Sequence, residues 1–384
     1  MAASAADNVF RLTDELKKDL TCKVCLEACE VGKDAASSLG LLFKDPQVPD
    51  AFNPVPITLL PSIVSSHALH EILQLQSDIS LVQHRVAHDR EFLTSALAAT
   101  AAVDPFIRNL MNIYQQVDID SQIELEFVRS DYLLHCDDPN LSFRDALNVG
   151  TYKQVEVNMI CIAFAGLSSK MHTVHNRILN FLDCDIVENP QDGDVLPQET
   201  RLLVEKTVAI KCPSVAHQLS GFKKIQQELS KPEVLARFVP EESVRARMLD
   251  TCVGQWDVSL PNSAEAIERA LKHPEKYVLK PNREGGGNNF FNEELVSKMQ
   301  EIRGTETAQE FILMERIEPP LQENILVRSK LPPALVQTIS EVGTFGAFIA
   351  RNKEIIFNAS ARDVLIRSKA SNVNEGGVST GYAC

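Results

Sequence analysis

The sequence predicts an α/β chain of α+β lobes with a helical N-terminal part, on three observations. Apolar residues recur at helical spacing through most of 9–116. Two later segments, Ile123-Glu-Leu-Glu-Phe-Val128 and Lys153-Gln-Val-Glu-Val-Asn158, alternate apolar with polar residues, the period-2 mark of strands with one buried face. A helix-rich stretch from Glu199 to Leu271 then gives way to short apolar runs of strand length.

In chain order, Val9 to Val31 reads as one amphipathic helix with Thr13 as a cap. Phe43 to Pro61 holds five prolines and reads as extended chain with at most a short strand. Helical spacing returns over Ser66–Ala101 and Pro105–Gln116. The two alternating strands end in Arg129-Ser-Asp131 and in Glu156 and Asn158, and a helix follows from about Leu167 to Leu182. Asp183 to Gln198 is acidic and carries Pro190, Gly193 and Pro197, which makes it the linker. The chain therefore divides into 1–182, a linker at 183–200, and 201–384. Pro213, Pro232 and Pro240 break the helices that follow. Strand-like pieces lie at Tyr277–Lys280, Glu310–Glu315, Asn324–Arg328, Val336–Val342, Phe345–Ala350 and Glu354–Asn358.

At 384 residues the chain suggests two or three domains, or one enzyme of several lobes. Its 38 Lys+Arg against 52 Asp+Glu leave a formal charge of −14, a field that repels polyanions, so nucleic acid is excluded as the main partner. No run reaches the ~18–20 apolar residues of a membrane span, and residues 1–18 hold no continuous apolar core of a secretory signal. Nine cysteines, an odd number scattered among apolar neighbours, fit reduced thiols and a cytoplasmic setting. Cys22, Cys25 and Cys29 fall on one helical face and are expected as core thiols. The pairs His67/His70 and His84/His88 have polar neighbours and are expected at the surface, as is Lys223-Lys224.

The most informative stretch is Tyr277-Val-Leu-Lys-Pro-Asn-Arg-Glu-Gly-Gly-Gly-Asn-Asn-Phe-Phe291. A strand delivers Lys280 into a polar turn with three glycines, which let backbone N–H groups approach an anion without Cβ interference. The spacing matches neither GxxxxGK[ST] nor GxGxxG, so the loop alone reads equally as a phosphate cradle or a surface turn. Phe311-Ile-Leu-Met-Glu-Arg-Ile317 is a buried strand that could also back a flat ring.

Lys280-Pro-Asn-Arg-Glu-Gly-Gly-Gly-Asn-Asn289, Leu313-Met-Glu-Arg-Ile317, Ile339-Ser-Glu-Val-Gly343, Leu365-Ile-Arg-Ser-Lys369 and Glu375-Gly-Gly-Val378 together resemble the eukaryotic type of glutathione synthetase. So do Lys211-Cys-Pro213, Phe222-Lys-Lys-Ile-Gln-Gln-Glu-Leu-Ser230, Arg129-Ser-Asp-Tyr132 and Val155-Glu-Val-Asn158, all in family order. The resemblance implies an ATP-grasp architecture with its nucleotide region in 201–384. The implied activity is ligation of glycine to γ-glutamylcysteine through an acyl phosphate, by a homodimer.

The resemblance also implies roles. Lys211, Lys280, Pro281, Arg283, Gly285, Gly286, Gly287, Asn288, Asn289, Phe291, Met314, Glu315, Arg316, Ile317, Glu341, Lys369 and Glu375 would serve ATP. Glu156, Asn158 and Glu284 would hold Mg²⁺, an ion that favours hard oxygen donors. Arg129 and Arg367 would be the catalytic pair that grips substrate carboxylates with guanidinium forks. Ile160, Cys161, Ile162, Ala163, Val378 and Ser379 would face substrate.

Four departures from the family pattern accompany these matches. The interval between Leu182 and Lys211 replaces an α/β substrate region that carries an Arg-Asp-Gly-Tyr motif. Met159-Ile-Cys-Ile-Ala163 stands where the family has two serines, Phe291 stands for a tyrosine, and the chain stops at Cys384, a little short of the family's C-terminus. They imply a second reading, a relative that has lost ligation and binds nucleotide or thiol ligand in a regulatory or partner-binding role.

Overall fold

The computed structural model describes residues 5–45, 47–48, 50–160, 162, 164–183, 210–282 and 288–374. The acidic linker lies almost wholly outside them. Helices and sheets are both present, and every strand ladder is antiparallel.

The single helix expected over 9–31 is two, α1 (Ala5–Leu16) and α2 (Lys23–Ser38). Thr13 caps neither. Its hydroxyl bonds back to the Val9 carbonyl at 2.8 Å inside α1, while the Cys22 sulfur receives the Cys25 N–H at the start of α2. Cys25 and Cys29 are buried as expected. A short hairpin, β1 (Leu42–Lys44) with β2 (Phe52–Pro54), and β3 (Ile57–Thr58) use the proline-rich segment.

Three helices follow: α3 (Ser66–Ala87), α4 (Arg90–Val103) and α5 (Pro105–Gln116). Ser65, Asp89 and Asp104 cap them by accepting N–H groups of the first turn, each cap contributing about 1 kcal/mol. Next come β4 (Ile123–His135), α6 (Phe143–Val149), β5 (Thr151–Asn158) and α7 (Ala165–Phe181). Beyond the linker stand α8 (Val215–Ser220), α9 (Lys223–Leu229), α10 (Pro232–Phe238) and α11 (Glu242–Asp250). They pack with α4 and α5 around Leu93, Leu97, Phe222 and Phe238.

A four-stranded sheet has the order β6-β9-β7-β8, from β6 (Gln255–Asp257), β7 (Tyr277–Pro281), β8 (Phe290–Phe291) and β9 (Phe311–Glu315). The helices α12 (Ala264–Lys272) and α13 (Asn292–Ile302) cover one of its faces. The last strands are β10 (Gln322–Val327), β11 (Ala334–Arg351) and β12 (Glu354–Ala370). The two short strands expected at 336–342 and 345–350 are thus one, and the piece at 354–358 extends to Ala370.

These long strands join β3, β4 and β5 in a six-stranded sheet, where β11 pairs with β12 on one side and with β10 and then β4 on the other. The sheet therefore takes strands from both sides of 183–200. Its buried face, with Val128, Tyr132, Val342 and Phe348, packs on α3. Among the described residues no helix is long and apolar enough to cross a membrane.

Two surface expectations fail. His84 is only 3% exposed and Lys223 and Lys224 are both buried, because each finds partners from elements distant in sequence. His67 and His70 are exposed as expected.

Candidate functional site

Strand parity assembles the site. In the large sheet Arg129 pairs across with Asn158, Asp131 with Glu156 and with Gly343, and Glu341 with Arg367. Directly opposed residues point to the same side of a sheet, so all of these side chains leave by the face opposite α3.

Asp131 is the hub. Arg129 grips it with two bonds of 2.8 Å from Nε and a terminal nitrogen, Asn158 Nδ2 donates to it at 2.9 Å, and Arg367 donates at 2.8 Å. Arg367 also bonds Glu341. Gly343 lets this happen: a Cβ there would lie 2.9 Å from Asp131 Oδ1 and 3.2 Å from Arg129 Cδ.

Between Asp131 and Tyr132 the β4–β5 register skips Val155, which forms a β-bulge of the kind found beside functional sites. Its carbonyl is turned to other partners, Lys280 Nζ at 3.3 Å and Gln226 Nε2 at 3.5 Å. Lys280 comes from β7, so the bulge is where the two sheets meet.

The small sheet obeys the same parity. Tyr277, Leu279, Phe311 and Leu313 face α12 and α13. Val278 and Lys280, opposed by Met314 and Ile312, therefore face the other way, with Phe291 beside Val278. Helix α9 closes this side. Lys224 donates to Asp257 of β6 at 2.6 Å, to Glu228 at 2.9 Å and to Gln227 at 2.8 Å, and Lys223 Nζ lies 3.4 Å from Glu156 Oε2.

Burial raises the Glu156 carboxyl, and Lys223, Lys280, Arg129 and Arg367 outweigh it, so the group titrates at about 2 and is ionised. For Glu341 burial wins over Arg367, with the nearby Asp131 and Glu156 charges adding to the upward shift. Arg367 goes the opposite way from its burial, raised by Glu341, Asp131 and Glu156. Lys223, Lys280, Arg129 and Arg367 thus face Asp131, Glu156 and Glu341, four cations against three carboxyl groups where the two sheets meet.

Of the residues singled out in the sequence, Arg129, Glu156, Asn158, Glu341, Arg367 and Lys280 come together here. Met314 and Phe291 share the Lys280 face, and Arg316 sits 5.6 Å over the Phe291 ring. Glu315 is on the opposite face and receives the Gly254 N–H at 2.8 Å. Ile317 and Lys211 are buried, Lys211 in a backbone bridge to Glu124 near the start of β4. Pro281 ends β7, Asn288 is exposed and Asn289 half-buried, and Lys369 follows Arg367 on the same face of β12. Ile160 and Ile162 are half-buried after β5. Cys161, Ala163, Arg283, Glu284, Gly285, Gly286, Gly287, Glu375, Val378 and Ser379 lie outside the described residues.

Three residues of the site were given no role from the sequence: Asp131 and Lys223, which lie within quoted motifs, and Asp257. Period-2 spacing from Arg129 was signal enough for Asp131, whereas Lys223 and Asp257 reveal themselves only through tertiary partners.

Comparison with known proteins places the chain among relatives of one family. Residues 26–384 match the family model for the ATP-binding domain of eukaryotic glutathione synthase. Glutathione synthetase of Xenopus laevis is 29% identical, over 97% of this chain and 98% of that protein. The human glutathione synthetase is also 29% identical, over 91% and 94%. The Xenopus alignment runs over 474 positions, more than the 384 of this chain, so the relative carries residues opposite gaps here. Among solved structures, a glutathione synthetase-like effector from Globodera pallida in its apo form superposes with a TM-score of 0.73 at 18% identity, covering 91% of this chain and 95% of that one.

Proposed function

This chain belongs to the eukaryotic glutathione synthetase family, and from that premise we propose that it is an ATP-dependent ligase. It joins glycine to γ-glutamylcysteine and releases ADP and phosphate. The observation that carries the reading is the cluster of cations where the two sheets meet at Val155, with Lys280 reaching across.

In this reading adenine lies against Met314 and Ile317, and the triphosphate runs toward Lys280 and the loop 281–289, with Phe291 closing over it. Lys211, Glu341 and Lys369 complete the nucleotide contacts. Glu156 is ionised, and Asn158 spends its amide nitrogen on Asp131, which keeps its carbonyl oxygen as an acceptor. Both are hard oxygen donors that suit Mg²⁺ with Glu284, and the ion would neutralise charge on the transferring phosphoryl group.

Arg129 and Arg367 hold substrate carboxylates. The γ-glutamylcysteine carboxylate oxygen bonds to the γ-phosphorus as the bond to ADP breaks. The glycine amine then bonds to the acyl carbon, phosphate leaves, and the amine loses its proton. Cations held by other side chains cost no reorganisation as charge moves outward during these steps. A homodimer and a cytoplasmic setting belong to the same proposal.

The test is tripeptide formation by mass spectrometry with ATP, Mg²⁺, γ-glutamylcysteine and glycine, each omitted in turn. Product that needs all four is the expected result, and Lys280→Ala should abolish γ-glutamylcysteine-dependent ADP release. Because the Xenopus alignment leaves gaps in this chain, the second reading is a family member that binds nucleotide or thiol ligand without ligation. It predicts a melting temperature raised by ATP–Mg²⁺ and no tripeptide.

A further inference from the structure

Away from the cleft, the C-terminal turn of α3, the start of β4 and α8 converge on four side chains. His84, His88, Glu124 and His217 each offer one ligand atom, all within 4.8 Å of one another. His84 Nδ1 lies 3.3 Å from His217 Nε2. Glu124 Oε2 lies 2.8 Å from His88 Nε2 and 3.8 Å from His84 Nδ1. His84, Glu124 and His217 are no more than 3% exposed, and the His88 side chain only 6%.

The outward nitrogen of every imidazole is already committed to an oxygen. His84 Nε2 lies 3.0 Å from the Lys353 carbonyl, His88 Nδ1 lies 3.0 Å from Asp120 Oδ1, and His217 Nδ1 lies 3.0 Å from Glu126 Oε1 and 2.7 Å from Ser214 Oγ. Such outer partners fix the tautomer and turn the other nitrogen's lone pair inward, the arrangement found behind metal-bound histidines. Two inward lone pairs at 3.3 Å repel unless a proton or a cation lies between them. Glu124 Oε1 and Glu126 Oε2 are buried without a hydrogen-bond partner, so the pocket holds oxygen acceptors that its hydrogen bonds do not satisfy.

We propose that His84, His88, His217 and Glu124 form a closed four-ligand site for a divalent transition metal, with Zn²⁺ as its occupant. Zinc–ligand bonds of about 2.0–2.2 Å at tetrahedral angles put ligand atoms roughly 3.3 Å apart, which is the His84–His217 separation. Three imidazoles and one carboxylate suit zinc over Mg²⁺, which prefers oxygen donors. Four protein ligands leave no open position, so the metal is structural. It would tie α3 and β4 to α8, next to the Glu124–Lys211 bridge, and so would hold Lys211 in place beside the linker.

The full-length protein, stripped with chelator and reloaded with Zn²⁺, should keep one zinc per chain through desalting and melt at a higher temperature. Co²⁺ in its place should give the intense visible bands of tetrahedral coordination. His217→Gln and Glu124→Gln should each lower zinc affinity by about ten-fold or more, whereas Glu156→Gln, at the nucleotide cleft, should leave the stoichiometry unchanged. A folded parent protein that retains no zinc, or binds Co²⁺ only in weak octahedral form lost with Glu156→Gln, overturns the site and leaves a hydrogen-bonded histidine cluster. Should the histidine and glutamate variants fail to fold, the Co²⁺ spectrum of the parent decides alone.

Discussion

Asp131 is fully buried and receives hydrogen bonds from Arg129, Asn158 and Arg367. A carboxylate so placed binds two guanidinium groups at once, and removing its charge takes that partner from both, with Glu341 still beside Arg367. Breaking a buried ion pair on one side costs about 3–5 kcal/mol, so Asp131→Asn should lose that much stability in urea unfolding. A loss below about 1 kcal/mol, the range of an exposed pair, would show that the arginines have other support. Gly343 is a prediction from the same hub. Its added Cβ would meet Asp131 Oδ1 at 2.9 Å, and Asp131 is too well anchored to retreat. Gly343→Ala should cost about 1–3 kcal/mol by overpacking and weaken ATP binding measured by calorimetry; unchanged affinity would separate the hub from the nucleotide cleft.

At the scale of elements, α7 rests on β3 through His175, whose Nε2 lies 2.9 Å from the Thr58 carbonyl. Burial pushes its pKa down to about 4 from the usual 6.5. The unfolded chain then binds a proton that the native state refuses, and stability is lost as pH falls from 6.5 toward 4. Glu156, held at about 2, loses its contribution only below its ordinary 4.5, and the buried Glu341 and Glu126, raised above theirs, act in the opposite sense to the histidines, so the difference between parent and variant from 4.5 to 6.5 isolates His175. Melting temperatures across that window should fall with acid, and His175→Gln should flatten the slope. Parallel curves for the two proteins would remove His175 from the account. Elements were also the scale at which the sequence was most readable. Period-2 runs located β4 and β5, and prolines located the start of α5 and the breaks between the helices beyond the linker. The split between α1 and α2 was missed because it depends on the Cys22 sulfur as a cap, and the burial of His84 because α8 arrives from more than a hundred residues downstream.

Over the whole molecule, the sequence disclosed the site where chemistry is concentrated in short motifs and hid it where tertiary partners do the work. Lys280, Arg129 and Arg367 were nameable from their motifs, whereas the buried role of Lys223-Lys224 needed β5 and β6 in place on either side of α9. That helix joins the sheets: Gln226 donates to Val155 on β5 and Lys224 to Asp257 on β6. Replacing Lys224 with Met would leave the buried Asp257 without its cation beside an apolar stem, at a cost of about 3–5 kcal/mol borne at the junction. The chain's one tryptophan, Trp256, sits next to Asp257 on β6 and packs against Tyr277 at 6.1 Å between ring centroids, so its fluorescence follows the small sheet. Far-UV circular dichroism follows the helices and both sheets together. In the parent protein the two signals should change in one transition, since coincident probes mark cooperative unfolding. In Lys224→Met the Trp256 transition should move to lower urea and precede the dichroism change. Coincident, unshifted curves in the variant would mean that the Lys280–Val155 contact couples the sheets without help from α9.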